Sequence, residues 1–399
     1  MKIFFLTSRV PFPTNTPAKI RAFNLIKGVA LDHELTLCTF VENPEERQHL
    51  RELVPVCKRV LPLFPRKLSA FGSIGLFFQN LFSRKPLVFQ KKWSGAVYEE
   101  IRAELNSGKY DLIHCEDLMM AQFIFDYTGV PKVLDINQYE SLVYKRVALM
   151  SKGFFRRRLS RWQWRKMQRY ENYIFKFMDI LLVATKKDRV HLDHSSPGAW
   201  VEEIPNGLDS AFYSTEKISL ANQQNILLPI NINGASDEDA LVHFFTRIWP
   251  VIKRKRENAR LYIVGKELHK NLKILEQHPD IIVNNRVEDI RPFVAKSNVV
   301  VVPHRKNGIA SNYLLEALAM GKTVVATSAS CKGLEVTHGK EIVIADDPGQ
   351  FAQDVLQAMN NPELGQNLGR QARTFVEQNY DWKVISARLK QVYNSATGK

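Results

Sequence analysis

The sequence predicts an α/β protein built as two doubly wound domains, and three observations carry that expectation. Short apolar, β-branched runs alternate with amphipathic helical segments along the chain, the pattern of strand-helix-strand units on a parallel sheet. The runs are apolar at successive positions, as in Val299-Val300-Val301-Val302, which suits strands buried on both faces. The chain has 399 residues, enough for two cores, and Pro205-Asn206-Gly207 is a strong turn signal near its middle. The expected divisions are a first domain over 1–207, a second over 208–380 and a closing helix over 381–399.

In the first half, strands are expected at 2–7, 35–40, 60–62, 111–114, 132–136, 180–185 and 201–204. The loop 8–18 holds three prolines and leads into a helix over 19–31. Residues 45–53 read as charged and helical, 65–92 as an apolar, basic and aromatic segment, 94–105 as a helix and 145–178 as one long helical region. In the second half, strands at 226–232, 260–264, 281–283, 299–302, 324–326 and 342–344 alternate with helical segments. Helices over 348–360, 362–378 and 382–395 close the chain.

Residues 298–327 are the most informative stretch. The valine run ends at Pro303, a polar loop follows from His304 to Ala310, and Ser311 or Asn312 can cap a short helix. Leu314, Leu315, Leu318 and Ala319 share one face of that helix, and Gly321 can end it in a left-handed conformation. The next strand follows at once, so the stretch is a βαβ unit with Glu316 in the early turns of its helix. At such a strand end a helix N-terminus can receive phosphate while a carboxylate accepts hydrogen bonds from sugar hydroxyls.

Fifty-six Lys and Arg against forty-one Asp and Glu give a net charge of +15, which points to anionic partners: phosphorylated substrates, a lipid surface or nucleic acid. No recognition helix or aromatic-sheet signature supports nucleic acid. Cys38, Cys57, Cys115 and Cys331 lack the paired spacing of a zinc site or a disulfide framework, which fits a reducing, cytoplasmic setting. The apolar start of the chain gives way to Arg9 and Pro11 too soon for a signal sequence or a membrane span, and the run 68–82 is also too short and polar to span.

At this point a family resemblance enters. Leu315-Glu316-Ala317-Leu318-Ala319-Met320-Gly321-Lys322, with the strand after it, is similar to the donor-site helix of the GT-B glycosyltransferases of the family-four, or group 1, type. Ile204-Pro205-Asn206-Gly207-Leu208-Asp209 resembles the turn that enters their second domain. Asp381-Trp382 resembles the start of their last helix, which crosses back onto the first domain. Arg9-Val10-Pro11-Phe12-Pro13, Lys19-Ile20-Arg21 and residues 39–45 are similar to an exopolysaccharide-associated branch of sugar transferases. The resemblance implies two Rossmann-like domains facing across a cleft, an acceptor-side domain followed by a nucleotide-sugar-binding one. It implies a retaining hexosyltransferase-type enzyme that moves a sugar from a UDP- or GDP-sugar to a polysaccharide or lipid-linked glycan. No metal is required in this fold, and front-face attack assisted by the leaving phosphate needs no obligatory enzymatic base.

Carried onto this sequence residue by residue, the resemblance places Glu316 on the nucleotide ribose and Asn312 on the donor. Arg305 and Lys306 lie just past the strand end, where a diphosphate needs positive charge. Gly265 and Lys266 end another second-domain strand beside the nucleotide, and Arg286 and Val287 fall in the segment that contacts the base mostly through backbone. In the first domain Glu116 stands where many members place a histidine near the reacting sugar. His114, two residues earlier, is either a group beside that sugar or a packed strand-end histidine. A competing expectation is a degenerate, non-catalytic binding or scaffolding member. Gly308 stands where the family has the first of two glutamates, and Pro17 and Ile230 stand where it has phosphate-loop glycines.

The run from Ser151 to Tyr170 carries eight Lys or Arg and no acid, interleaved with aromatic residues. As a helix it can lie on an anionic membrane or acceptor surface, with Arg156, Arg157, Arg158, Arg161 and Arg165 on phosphates and Trp162 at the interface. The alternative is a first-domain helix that packs its aromatics inward and solvates its charges. The expected location is cytoplasmic, peripheral on the inner face of the plasma membrane.

Overall fold

A computed structural model describes residues 1–65, 70–196, 198–214, 225–230, 235–265, 275, 277–285, 287–305 and 312–398. The chain divides into two units, one of residues 1–206 with 385–399 and the other of residues 207–384.

The first unit runs β1 (Lys2–Thr7), α1 (Pro17–Ala30), β2 (Glu34–Phe40), α2 (Pro44–His49), β3 (Arg59–Leu63), α3 (Ala70–Phe82), α4 (Leu87–Lys92) and α5 (Gly95–Gly108). It continues through β4 (Leu112–Cys115), α6 (Leu118–Ala121), β5 (Lys132–Ile136), α7 (Glu140–Met150), α8 (Phe154–Phe175), β6 (Ile180–Val183), α9 (Lys186–Ser195) and β7 (Trp200–Glu203). Among the described residues these strands form one parallel sheet in the order β3-β2-β1-β4-β5-β6-β7. Ile3, Phe4, Phe5 and Leu6 of β1 are fully buried, as a strand covered by helices on both faces must be. The direction of strand order reverses between β1 and β4, so their C-terminal ends flank the crevice where doubly wound sheets place ligands.

The expected long helix over 145–178 is two helices. Gly153, at φ +87°, takes a conformation that side chains rarely adopt and starts α8 after a break at 151–153. Glu171 of α8 accepts from the Ser141 amide at the start of α7 (3.0 Å), so the two helices form an antiparallel hairpin.

The second unit runs β8 (Asn225–Pro229), α10 (Ala235–His243), a π turn, α11 (Trp249–Lys255), β9 (Arg260–Gly265), β10 (Ile281–Asn285), α12 (Arg291–Lys296) and β11 (Val299–Val302). It continues through α13 (Asn312–Ala319), β12 (Thr323–Ala326), β13 (Val343–Ile344), α14 (Pro348–Asn360), α15 (Pro362–Asn379) and the start of α16 (Trp382–Thr397). Its parallel sheet has the order β10-β9-β8-β11-β12-β13 among the described residues, with the reversal between β8 and β11. From Ile385 onward α16 belongs to the first unit. There its Ser386 Oγ lies 2.0 Å from where a Cβ on Gly28 would sit, so α1 and α16 touch backbone to side chain.

No helix among the described residues is long and apolar enough to cross a membrane. All four cysteines are free and buried.

Candidate active site

In the first unit, chemistry gathers at the ends of β1, β4 and β5. The Glu116 amide donates to the Leu6 carbonyl (2.9 Å), which extends the β1–β4 pairing and fixes the residue at the strand end. Glu116 is only 6% exposed, and its Oε2 has no hydrogen-bond partner among the described residues. Burial first, then Asp117 and Asp135, push its carboxyl well above the usual carboxylate range. Asp117 is occupied locally: it caps α6 by accepting from the Met120 amide (3.0 Å) and accepts from the Ser8 hydroxyl.

Arg21 of α1 grips Asp135 of β5 with two parallel bonds, Nε to Oδ2 at 2.8 Å and Nη2 to Oδ1 at 3.0 Å. Its Nη1 donates to the Pro205 carbonyl (3.1 Å) and Asn206 Oδ1 (3.0 Å), so both of these buried charges are spent on structure. Glu140, at the start of α7, has its carboxyl raised by burial and by Asp117, and the exposed Arg9 opposes that shift. The strand ends therefore hold more acid than available base.

His114 is a core residue. It is fully buried, its ring stacks on Phe5 at 4.1 Å, and its Nδ1 lies 2.7 Å from the Tyr393 hydroxyl of α16. Burial, helped by Arg21, pushes its pKa down to about 3, so the imidazole is neutral and the hydroxyl donates to Nδ1. Of the two expectations for His114, the packed strand-end histidine describes this geometry: the side chain ties β4 to the last helix. Of the pair, Glu116 keeps the functional reading.

In the second unit, the site surrounds β11 and α13. Glu316 sits half-buried on α13, one turn after the exposed Asn312, and accepts a hydrogen bond from the Tyr213 hydroxyl. Arg373 of α15 donates from Nη1 to the carbonyls of Ala319 (2.6 Å) and Tyr213 (3.0 Å), which caps α13 and anchors the tyrosine beneath it. Gly321 has φ +64°, and a Cβ on Gly369 would lie 2.0 Å from the Gly321 carbonyl, so only glycine lets α15 approach this closely. Lys322, buried and pushed down to about 8 by that burial, donates to the Ala295 (2.7 Å) and Ser297 (3.0 Å) carbonyls at the end of α12.

Just past β11, both basic residues are held by carboxylates from the first turns of α10. Arg305 pairs with Asp239, Nε to Oδ2 at 3.0 Å and Nη2 to Oδ1 at 2.6 Å. His304 Nε2 lies 2.9 Å from Asp237 Oδ1. The Val287 amide donates to the carbonyl of Gly265 at the end of β9 (3.2 Å), which brings these two predicted residues together through backbone. Lys306, Lys266 and Arg286 lie outside the described residues.

The remaining expectations fall on α8. Arg156, Arg157, Arg158, Arg161 and Arg165 are exposed, while Trp162 is half-buried under the Lys166 ammonium, which stands 4.5 Å from its ring centre. Among the described residues, no group of three or more His, Cys, Asp or Glu side chains converges to hold a metal ion. The sequence reading passed over Tyr213, Asp237, Asp239 and Arg373. The acidic run 237–239, so close after a strand, was the available signal for two of them.

Solved structures share this architecture over the whole chain. A sucrose-phosphate synthase from Thermosynechococcus elongatus superposes with a TM-score of 0.66 at 15% identity, covering 99% of this chain and 98% of that one. The Anabaena protein Alr3699/HepE, crystallised in complex with UDP-glucose, superposes with a TM-score of 0.64 at 15% identity, covering 99% of this chain and 100% of that one. Residues 233–361, which include α10, β11 and α13, match the family model described as Glycosyl transferases group 1. The chain has the GT-B fold, and its residues 233–361 resemble a group 1 glycosyltransferase domain. An uncharacterized 44.6 kDa protein in the cps region of Klebsiella pneumoniae is 22% identical to this chain over 97% of it and 98% of that protein. The family segment contains Asp237, Asp239, Gly265, His304, Arg305 and Glu316.

Proposed function

We propose that this glycosyltransferase moves a sugar from a UDP- or GDP-sugar to a polysaccharide or lipid-linked glycan acceptor, with retention of configuration. The observation that carries the donor reading is Glu316: a half-buried carboxylate inside the family segment, oriented by Tyr213 at the end of the β11–α13 unit. A carboxylate so held accepts both hydroxyls of a ribose diol. Arg305, aimed by its bidentate pair with Asp239, meets the diphosphate together with Lys306 and Lys266. Asn312 contacts the donor, and Gly265, Arg286 and Val287 line the base through their backbone. These cationic and backbone groups take the role a metal has in other transferases. In the first unit, Glu116 offers an unpartnered carboxyl to an acceptor hydroxyl.

Two relatives support the substrate classes. The Anabaena protein was crystallised with UDP-glucose, and the Klebsiella relative is encoded in a cps region, which suggests a surface polysaccharide as the product. The basic face of α8 suits work on the inner face of the plasma membrane, where lipid-linked acceptors are presented.

Calorimetry against UDP-glucose, other UDP-sugars and GDP-sugars tests the reading. We expect one nucleotide class to bind, and Glu316→Ala to weaken it about 10- to 100-fold, the scale of hydrogen bonds to a charged group. Absence of binding by every nucleotide sugar at millimolar concentration overturns the donor assignment, and an unchanged affinity in Glu316→Ala overturns the ribose role.

A further inference from the structure

The α7–α8 hairpin separates its aromatic residues into two sets. Trp162 and Trp164 are half-buried, with the Lys145 ammonium 5.4 Å from the Trp164 ring centre, and Met167 and Tyr170 are buried in the first core. Met167 and Tyr170 face the protein, and each tryptophan is partly covered by a lysine ammonium. At the other end, large apolar side chains are exposed around the turn: Val147 53%, Leu149 66%, Met150 74%, Phe154 73% and Phe155 85%.

This tip is held in shape. Ser151 Oγ donates to the Val147 carbonyl (2.7 Å) and lies 3.0 Å from Ser160 Oγ across the hairpin, and Gly153 supplies the left-handed turn. From residue 141 to 170 the chain carries ten Lys or Arg and no Asp or Glu. Arg156, Arg157 and Arg158 directly follow the exposed phenylalanines, and none of the three has a carboxylate partner among the described residues. An apolar point with a basic collar matches a bilayer of anionic lipids, which presents phosphates at the headgroup level and hydrocarbon a few ångströms below. An acidic protein would satisfy the arginines but would not call for five large exposed apolar side chains on a turn.

We propose that the α7–α8 hairpin enters an anionic lipid bilayer tip first, with Met150, Phe154 and Phe155 at the acyl boundary and Arg156, Arg157 and Arg158 on headgroup phosphates. The inference rests on the membrane-facing part of the reading above and gives it an orientation; it does not depend on the donor. A second exposed patch on α3, Phe78, Leu81 and Phe82, is pinned beside the middle of α8. Lys166 Nζ donates to the Asn80 carbonyl (2.5 Å) and Oδ1 (2.9 Å), which sets that patch back from the point.

Because the four native cysteines are buried, an environment-sensitive dye on an introduced surface cysteine reports one position. The full chain is labelled at Phe155→Cys or at Arg165→Cys and mixed with vesicles of phosphatidylcholine alone or with 30 mol% phosphatidylglycerol. The expected result is a blue shift and a several-fold brightening at 155 with the anionic vesicles, little change at 165, and loss of both binding and shift in high salt. Unlabelled Phe154→Ser/Phe155→Ser should float with anionic vesicles at least tenfold less than the unmodified chain while binding nucleotide as before. Equal dye shifts at 155 and 165, or full flotation of the double serine variant, overturn the tip-first orientation and leave membrane contact standing. Absence of flotation by the unmodified chain overturns membrane contact itself, and with it this inference, while the donor reading is untouched.

Discussion

The two units present the same crevice with opposite electrostatic solutions. At the end of β4, Glu116 is buried without a partner, and its neighbours Asp117, Asp135 and Glu140 add like charge or are already spent. At the end of β11 the polar side chains are hydrogen-bonded to one another: Arg305 with Asp239, His304 with Asp237, Glu316 with Tyr213. An unpaired buried carboxyl costs stability and leaves a hydrogen-bonding position for an incoming group. Paired groups cost little and arrive already oriented, which suits a ligand whose shape is fixed in advance, as a nucleotide's is. The first crevice is built to be completed by what it binds, and the second to be recognised by it.

The largest test breaks the scaffold under the first crevice. Arg21→Ala or Asp135→Ala leaves one buried charge without its partner, and each should cost about 3–5 kcal/mol in urea unfolding. The double change Arg21→Met/Asp135→Leu should cost far less than the sum of the two, because it removes both desolvated charges together. If either single change costs under about 1 kcal/mol, the pair is not what sets these strand ends.

How much of this was legible beforehand depends on sequence distance. The strands were readable because each is a local run of apolar residues, and Gly321 because its place after Ala319 and Met320 identifies a helix end. The βαβ unit with Glu316 follows from the same local pattern. The hairpin break was hidden in one glycine within a basic, aromatic-rich run whose helical pattern is strong on both sides. The Arg21–Asp135 pair joins positions 114 apart in the chain, and no local period announces it. His114 was visible as a strand-end histidine, but its isolation depends on Tyr393, which arrives 279 residues later. Residue type was legible, and partner was not.

A smaller test sharpens the second crevice. Asp239→Asn keeps the shape of the side chain but removes the charge that aims the Arg305 guanidinium. UDP affinity should fall about tenfold, or about 1.4 kcal/mol, while uridine, which lacks phosphate, binds as before. Arg305→Ala serves as the reference: a loss there without one in Asp239→Asn shows that the arginine needs no orienting partner. Equal losses for UDP and uridine in Asp239→Asn show a general disturbance of α10.

The smallest expected effect is the most discriminating. The Glu116 carboxyl is raised in the folded chain above its ordinary value near 4.5, so the folded state holds its proton longer than the unfolded state does. Its contribution to stability is therefore full below about pH 4.5 and is lost as pH rises through the folded value. Glu116→Gln has no ionisable group there, so its stability should gain on that of the unmodified chain as pH rises from about 4.5 to about 8. The buried amide still lacks a partner, which keeps the gain modest. The same variant should lose transferase turnover about tenfold, because an amide oxygen holds a sugar hydroxyl less strongly than a carboxylate does. A variant that gains stability and loses turnover identifies a carboxyl kept for the acceptor. One that gains stability at full turnover marks Glu116 as a residue the first crevice can do without, and the contrast between the two units then reduces to packing.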